Sequence, residues 1–268
     1  MTRHTTRLRQ LIAAQEILVA PGAYDGTGAR LVRELGFQAV YLSGFQTSAA
    51  VLGQPDVGYL TLTQMVARVA MFAEVSELPL IADADTGYGN PLNVRRTVRA
   101  YESAGAAALH LEDQTFPKRC GHMLGRHVIA RTDARTTLGL DEAIDHGAAY
   151  HEAGADVLFV ESPESEQEMR RVCDAFRGVV PVLSNQIEGG RTPLLNTRDL
   201  QDMGYSLALF SLGAGFAAAK GMRDYLRTLA TRGDTSAMRP EMLDFDEFNT
   251  LIGLDEHSEL ERRYAVPD

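Results

Sequence analysis

The segment DADTGYG, residues 83–89, carries two carboxylates whose spacing could hold a divalent cation. Asp83 and Asp85 are two residues apart, which puts them on the same side of an extended chain, and Glu112 ends a later apolar run. Carboxylate oxygens without cysteine or histidine suit Mg²⁺ or Mn²⁺ rather than zinc. The TGYG that follows can turn tightly and let a ligand approach the backbone. The sequence therefore predicts a metal site formed by Asp83, Asp85 and Glu112.

Polar side chains follow each of the short apolar runs of the chain. If these runs are the strands of a barrel, their C-terminal ends form the active site. The residues concerned are Tyr24, Asp25, Ser43, Asp83, Asp85, Glu112, Asp113, Arg131, Asp133, Glu161, Asn185 and Ser211. Asp25, Asp113 and Ser162 can equally be helix caps or turn formers. Carboxylates concentrated at one mouth would repel one another unless a cation compensated them.

The segment KRCGH, residues 118–122, directly follows the fourth apolar run. Lys118, Arg119 and His122 would favour the thiolate of Cys120 or allow easy proton exchange. The alternative is a surface loop with an incidental cysteine, and spacing alone does not decide between the two. Cys173, the second cysteine of the sequence, is far from Cys120 and shares no CxxC or zinc spacing with it. A disulfide framework is therefore not expected.

The elements that must position these residues alternate regularly between helix and strand. A polar helix, a glycine and a short apolar strand recur at 34–44, 102–113, 152–162 and 202–212. The glycine suits a left-handed helix C-cap, and the apolar run suits a strand buried on both faces of a parallel sheet. Further apolar runs lie at 17–23, 78–85, 127–133 and 180–186. The pattern therefore predicts eight strands.

One closed (β/α)₈ barrel of the α/β class is the economical interpretation, since such barrels run to about 250 residues and this chain has 268. An open sheet that binds a dinucleotide is the rival, but GTGARL (26–31) lacks the third glycine of that motif. We expect a catalytic barrel at residues 1–240 and a helical extension at 241–268. The amphipathic stretch 243–264 of the extension would pack on a partner subunit or cap the barrel.

Composition and charge exclude several classes of function. The net charge of −10 argues against nucleic-acid binding, which favours a basic face. No apolar run approaches the roughly 20 residues that span a bilayer. The N-terminal MTRHTTRLRQLIAAQE has no long apolar stretch and no small-residue cleavage site, so it predicts an amphipathic first helix. We therefore expect a cytoplasmic protein with a small-molecule partner and no contact with membrane or nucleic acid.

Six segments together resemble the isocitrate lyase/phosphoenolpyruvate mutase superfamily. They occur in the family's order and cover most of the chain: YLSGF (41–45), DADTGYG (83–89), LEDQ (111–114), KRCGH (118–122), ARTDA (130–134) and FVES (159–162). The KRCGH segment resembles the lyase branch, which includes 2-methylisocitrate lyase and the alkylmalate lyases, because the phosphonate mutases lack that cysteine. The resemblance implies a (β/α)₈ barrel, a homotetramer and a Mg²⁺-dependent carbon–carbon lyase.

The resemblance also implies a role for each candidate residue. Mg²⁺ would be held by Asp83 and Asp85, with Glu112 nearby, and would stabilise charge on a 2-oxo acid product. The implied catalytic residues are Tyr41, which would handle the 2-hydroxyl proton, Cys120, which would protonate the departing carbon, and Glu161. The implied substrate-binding residues are Ser43, Gly44, Phe45, Gly121, His122, Arg131 and Asn185. The expected products are a 2-oxo acid and a carboxylate.

Two departures from the family pattern affect the expected chemistry. Relatives carry a full helix between the cysteine loop and the ARTDA strand, whereas only residues 114–126 join strands 4 and 5 here. We therefore predict that this helix is missing, and a connection drawn down the barrel wall would keep Cys120 from the site. Methylisocitrate lyases also carry an arginine after strand 8 that binds a third carboxylate, and SLGAGFAAAK (211–220) has none.

We therefore expect a dicarboxylate of about four to six carbons, such as an alkylmalate or oxaloacetate, rather than a tricarboxylate. Two other functions stay open. The first is hydrolysis or decarboxylation of oxaloacetate, for which metal and carboxylates suffice. The second is a catalytically silent paralogue that serves as an oligomeric binding protein.

Overall fold

The computed structural model describes residues 3–113 and 127–264. Its strands are β1 Leu18–Ala23, β2 Val40–Leu42, β3 Leu80–Asp83, β4 Ala108–Glu112, β5 His127–Thr132, β6 Val157–Val160, β7 Val182–Gln186 and β8 Leu207–Phe210. All neighbours pair in parallel in the order of the sequence, and β8 pairs back with β1. The eight predicted strands are thus confirmed as one closed barrel, and an open dinucleotide-binding sheet is excluded.

Helices alternate with the strands. They are α1 His4–Ile12, α2 Gly26–Glu34, α3 Gly44–Leu52, α4 Leu62–Ser76, α5 Pro91–Ala104, α6 Ala134–Leu138, α7 Leu140–Glu152, α8 Glu166–Phe176, α9 Thr197–Met203, α10 Gly213–Arg232, α11 Phe245–Leu251 and α12 Leu254–Tyr264. A 3₁₀ helix covers Ser236–Glu241. The local sequence sets their ends: the Asn90 side chain accepts from two backbone N–H groups at the start of α5, and Gly105 ends that helix with φ 103°.

Strand β4 ends at Glu112 and β5 begins at His127. The two strands pair directly, and their register places Glu112 beside Arg131. The missing helix concerns residues 114–126, which lie outside the described residues. The register alone therefore brings a carboxylate of one strand next to the guanidinium of the other.

The core explains why polar groups gather at one end of the barrel. The interior is filled by apolar side chains such as Ile81, Ile129 and Leu209, and Leu8 and Ile12 of α1 belong to the same cluster. Seven buried polar side chains lie instead in the C-terminal part of a strand or directly after it: Asp83, His110, Thr132, Glu161, Ser184, Gln186 and Ser211. The apolar packing thus confines the polar chemistry to the mouth.

The chain divides into two compact units, Met1–Ala214 and Gly215–Asp268. The first contains the barrel. The second contains most of α10 together with α11 and α12, so the predicted C-terminal helical extension is present. The predicted boundary between a catalytic barrel and its extension, after residue 240, stays a prediction. No helix among the described residues is long and apolar enough to cross a membrane.

Candidate active site

Asp83, the last residue of β3, is held by groups from three parts of the chain. Its Oδ2 accepts a hydrogen bond from the backbone N–H of Gly44 at 3.1 Å and from the Tyr41 hydroxyl at 3.4 Å. Its Oδ1 accepts from the backbone N–H of Asp85 at 2.9 Å. A Cβ on Gly44 would lie 2.6 Å from Asp83 Oδ2, so only glycine permits this approach. The N-terminal turn of α3 therefore packs directly on the carboxylate.

His110 and Glu112 extend this cluster onto β4. They are two residues apart on a strand and therefore point to the same side. Nε2 of His110 lies 3.1 Å from Glu112 Oε1 and 3.3 Å from Asp83 Oδ1, and Nδ1 lies 3.2 Å from the Tyr41 hydroxyl. Ligand atoms of Asp83, His110 and Glu112 all lie within 4.8 Å of one another. These three side chains could hold a metal ion.

Burial and neighbouring charges shift the ionisation of this cluster. Burial would lower the pKa of His110, but the carboxylates of Asp83 and Glu112 outweigh it, so the pKa is raised. Burial raises the pKa of Tyr41 well above its usual value, and the charge of Asp83 adds to the effect. Tyr41 therefore keeps its proton at neutral pH and can act as a hydrogen-bond donor.

Arg131 on β5 neutralises part of the negative charge. Its Nη1 donates to Glu112 Oε1 at 2.7 Å and its Nη2 donates to Asp133 Oδ1 at 2.7 Å. Its Nε lies 3.7 Å from Glu161 Oε2. Burial alone would lower the pKa of the guanidinium, but Glu112, Glu161 and Asp133 raise it well above its usual value. The Arg131 guanidinium therefore stays positively charged within the mouth.

The network continues around the mouth to β8. Asn185 Nδ2 donates to Glu161 Oε2 at 3.3 Å, and Ser211 Oγ donates to Asn185 Oδ1 at 2.8 Å. Gln46 Nε2, from α3, donates to the backbone oxygen of Ser211 at 2.8 Å. Polar contacts therefore run from the end of β3 through every later strand and back to α3.

Most of the residues predicted from sequence converge on this network. Those that the structure brings together are Tyr41, Gly44, Asp83, Glu112, Arg131, Glu161 and Asn185. Ser43 is buried beside them, and its Oγ caps α3 by accepting from the Gln46 N–H at 3.3 Å. The Phe45 side chain is exposed. Cys120, Gly121 and His122 lie outside the described residues.

The structure places Asp85 in a turn rather than on the extended chain that the sequence predicted. The extended chain ends at Asp83, and Asp85 lies in a turn with φ 50°, so the two side chains do not share one face of a strand. The three-residue group includes His110 instead of Asp85. The metal-binding roles of Asp83, Asp85 and Glu112 stay predictions.

Two members of the site were missed from the sequence. His110 could have been found, because its spacing of two from Glu112 on a strand puts both on one face. Asp56 gave no such signal, since it follows helix α3 and not a strand. Although Asp56 is exposed to solvent, the protein around it reduces its solvation, and this effect together with the charges of Asp83 and Asp85 raises its pKa to about 6. Asp56 thus senses the negative charge of the mouth.

Three polar residues could equally be helix caps or turn formers by their sequence position. In the structure each of them makes a local hydrogen bond. Asp25 Oδ1 accepts from the Gly28 N–H at 2.7 Å as the N-cap of α2. Asp113 accepts from the Tyr150 hydroxyl at 2.6 Å, which joins the end of β4 to α7. Ser162 donates to Glu161 Oε1 at 3.0 Å.

The arrangement can perform a limited range of chemistry. Two carboxylates and an imidazole at the mouth can hold a divalent cation, and the neighbouring guanidinium can bind a carboxylate of a small anion. Tyr41 and His110 can share a proton between Oη and Nδ1. Nothing in this set needs an organic cofactor.

Comparisons with known proteins match this chain over nearly its whole length. A family model described as phosphoenolpyruvate phosphomutase matches residues 8–127 and 123–230. The 2,3-dimethylmalate lyase of Eubacterium barkeri is 45% identical over 284 residues, which cover 97% of this chain and 98% of the relative.

Two solved structures extend the comparison. A crystal structure of oxaloacetate acetylhydrolase superposes with a TM-score of 0.90 at 32% identity and covers 98% of this chain and 99% of its own. A phosphonopyruvate hydrolase in complex with oxalate and Mg²⁺ superposes with a TM-score of 0.88 at 28% identity. The match covers 98% of this chain and 99% of the hydrolase chain. The barrel, its polar mouth and these matches together assign the chain to the isocitrate lyase/phosphoenolpyruvate mutase superfamily.

Proposed function

We propose that this protein is a divalent-metal-dependent carbon–carbon lyase that cleaves a small 2-hydroxy dicarboxylate to a 2-oxo acid and a carboxylate. The observation that carries the proposal is the group Asp83, His110 and Glu112 directly beside Arg131. A cation site next to a guanidinium suits a substrate that offers a hydroxyl and two carboxylates. The nearly full-length similarity to a 2,3-dimethylmalate lyase supports the same chemistry.

The donor set fits a divalent metal. Carboxylate oxygens from Asp83 and Glu112 suit Mg²⁺, and the His110 nitrogen also suits Mn²⁺. Asp85 could contribute through water. The magnesium named in the phosphonopyruvate hydrolase complex favours Mg²⁺. When bound, the cation would stabilise the negative charge that develops on the 2-oxygen of the substrate as the hydroxyl loses its proton.

The protein's own residues would orient the substrate. Arg131 would bind one carboxylate, since its guanidinium stays charged and is buried. Ser43, Gly44 and Phe45 form the first turn of a helix and its cap, and because the Gly44 N–H is bonded to Asp83, the Ser43 hydroxyl and the Phe45 N–H would bind a second carboxylate. Asn185 would orient Glu161, to which it donates a hydrogen bond.

Cleavage requires one proton to leave and one to arrive. The C2–C3 bond breaks, the 2-hydroxyl loses its proton as C2 becomes a carbonyl, and C3 takes up a proton. Because Tyr41 keeps its own proton at neutral pH, it would relay the first proton: its oxygen would accept the proton of the 2-hydroxyl while its own proton passes to His110 Nδ1, 3.2 Å away. Cys120 would supply the second proton, with Gly121 and His122 carrying the thiol and contacting the substrate.

Hydrolysis of oxaloacetate to oxalate and acetate is the second candidate. It is favoured by the TM-score of 0.90 to oxaloacetate acetylhydrolase, and the lyase has the stronger support from sequence identity. The silent-paralogue alternative has no support, because the described site keeps its carboxylates, imidazole and guanidinium paired in one network.

A product assay distinguishes these functions. The protein is incubated with Mg²⁺ and either 2-methylmalate, 2,3-dimethylmalate, methylisocitrate or oxaloacetate. A lyase releases a 2-oxo acid from an alkylmalate, whereas a hydrolase releases oxalate and acetate from oxaloacetate alone. Absence of any Mg²⁺-dependent product from the whole panel would contradict both enzymatic functions.

We further propose a homotetramer in the cytoplasm. None of the residues of α10, all of them described, is buried, and its side chains include exposed Met222, Leu226 and Leu229. Apolar surface of this extent suggests a partner surface. A second copy of the chain is the proposed occupant.

A further inference from the structure

The loop that carries Asp83 has an unusual backbone. Between Asp83 and the start of α5, positive φ angles occur at Asp85 (50°), Gly87 (83°), Tyr88 (59°) and Gly89 (142°). Two of these residues are not glycine, so the left-handed conformation is strained there. Such a loop keeps its shape only if surrounding groups hold it.

One face of α5 supplies that support. Thr97 and Tyr101 are four residues apart and therefore lie on the same side of the helix. Thr97 Oγ1 donates to the backbone oxygen of Gly87 at 3.0 Å, and the Tyr101 hydroxyl donates to the backbone oxygen of Asp83 at 2.8 Å. Both side chains are fully buried. Two hydroxyls of one helix thus hold the start and the middle of the loop.

A second tyrosine completes the arrangement. The Tyr88 hydroxyl lies 3.1 Å from the Tyr101 hydroxyl. Because the Tyr101 hydroxyl donates its proton to the Asp83 carbonyl, Tyr88 must be the donor in the hydrogen bond between the two tyrosines. Burial raises the pKa of Tyr88 and of Tyr101, so both remain neutral donors. A directed chain therefore runs from Tyr88 through Tyr101 to the backbone of Asp83.

The loop and the helix also touch closely. A Cβ on Gly87 would lie 2.6 Å from a Val94 methyl group and 3.2 Å from the Val94 Cα. Only glycine permits this contact, and its φ of 83° favours glycine as well. The position of the loop therefore depends on the position of α5.

We propose that Tyr101 and Thr97 are positioning residues that set the metal affinity of the mouth without touching the ion. The Tyr101 hydroxyl fixes the carbonyl of Asp83, and the orientation of that peptide directs the Asp83 carboxylate toward His110 and Glu112. This inference rests on the proposed metal site at Asp83. Removing the hydroxyls leaves every ligand side chain in place but loosens the loop that presents one of them.

The test compares hydroxyl removal at this face with hydroxyl removal elsewhere. Tyr101→Phe and Thr97→Val remove one hydroxyl each, and Thr97→Ser restores the donor. Tyr205→Phe is the matched control, because Tyr205 is a buried tyrosine that bonds to Cys173 in another part of the barrel. The dissociation constants of Mg²⁺ and Mn²⁺ are measured by calorimetry, and the melting temperature is recorded for each variant.

We expect Tyr101→Phe and Thr97→Val to weaken metal binding by about 10-fold or more, in the range of other groups that orient metal ligands. Thr97→Ser should bind as the wild type does, and so should Tyr205→Phe even if its melting temperature falls. Turnover by Tyr101→Phe should recover at saturating metal. If metal affinity is unchanged in both Tyr101→Phe and Thr97→Val, the positioning role is wrong but the proposed function stands. If the wild type binds no metal, both the positioning role and the proposed function are wrong.

Discussion

Arg131 and Glu112 form an ion pair across neighbouring strands, with Nη1 and Oε1 2.7 Å apart, and the same Glu112 oxygen lies 3.1 Å from His110 Nε2. A guanidinium and an imidazole thus compete for an oxygen that we propose as a metal ligand. Cation binding at this oxygen must weaken at least one of these contacts. Asp83, whose oxygens are bound by neutral donors and His110, is therefore the stronger candidate for the principal ligand.

Asp83→Asn should lower Mg²⁺ affinity by about 100-fold or more, because it removes the negative charge and one oxygen of the proposed ligand, whereas orienting groups alone contribute about 10- to 100-fold. The substitution keeps the shape of the side chain, so the barrel should remain folded by circular dichroism. Glu77→Gln is the control, because it removes the same charge from a residue that makes only an exposed surface ion pair with Arg33. Unchanged Mg²⁺ affinity by calorimetry would refute the assignment of Asp83.

Asp56 should make metal binding depend on pH. Its pKa is raised to about 6, because the surrounding protein reduces its solvation although the side chain is exposed, and the mouth carboxylates add to the effect. As the pH rises through 6, Asp56 loses its proton, the mouth becomes more negative, and cation affinity should increase. Asp56→Asn should flatten part of the increase between about pH 5 and 7, while His110 accounts for the rest.

The measurement is Mg²⁺ affinity at several pH values for the wild type and Asp56→Asn. Proton release on metal binding, obtained by calorimetry in buffers of different ionisation enthalpy, should be smaller in the variant. Identical proton release in both proteins would show that Asp56 does not sense the metal.

The two cysteines should differ strongly in reactivity. Cys173 is buried, and burial raises the pKa of its thiol to about 12, so only about one part in 10,000 is thiolate at pH 8. We expect fast alkylation of one thiol per chain in the folded protein, and its loss in Cys120→Ser. Fast labelling that persists in Cys120→Ser would contradict this assignment.

The same variant tests the lyase mechanism. If Cys120 is the general acid, Cys120→Ser should lower kcat on an alkylmalate by about 100-fold or more with little change in KM. Cys173→Ser is the matched control and should retain kcat. If the short 114–126 connection keeps Cys120 from the site, the substitution should be nearly silent, and only metal-driven chemistry on oxaloacetate would survive.

The substrate should be a dicarboxylate. No arginine follows strand 8 in SLGAGFAAAK, so a third substrate carboxylate would be buried without a partner, at a cost of several kcal/mol. We expect kcat/KM for 2-methylmalate or 2,3-dimethylmalate to exceed that for methylisocitrate by at least about 100-fold. Faster turnover of methylisocitrate would mean that another residue supplies the third anion site.

The exposed face of α10 should hold an oligomer together. Met222, Leu226 and Leu229 recur at helical spacing on one face and are each at least 42% exposed. Leu226→Glu should therefore dissociate the oligomer, as measured by sedimentation or light scattering. Arg227→Gln, which changes the net charge by the same amount on the neighbouring position, should leave the assembly intact. A wild type that is monomeric at every concentration would refute the proposed tetramer.

Much of the fold could be predicted from the sequence because burial on both faces leaves a plain signal. The β4 run LHLE, like the β2, β6 and β8 runs, follows a helix and a left-handed glycine such as Gly105, and this repeated pattern indicates a parallel sheet. The residues at the strand ends followed from the same reasoning, since every parallel strand delivers its last residues to one mouth. Asp83, Glu112, Arg131, Glu161 and Asn185 were therefore identified before the contacts were known.

Only the tertiary structure decided how those residues pair. The choice of His110 rather than Asp85 beside Asp83 depends on where β3 ends and on a φ of 50° at Asp85, which residue spacing does not encode. The contact of Arg131 with Glu112 depends on strand register, and the influence of the mouth on Asp56 depends on a loop that follows a helix. Sequence periodicity determines which face each residue occupies within its own element, whereas contacts between elements depend on distances set by the packing of the whole barrel.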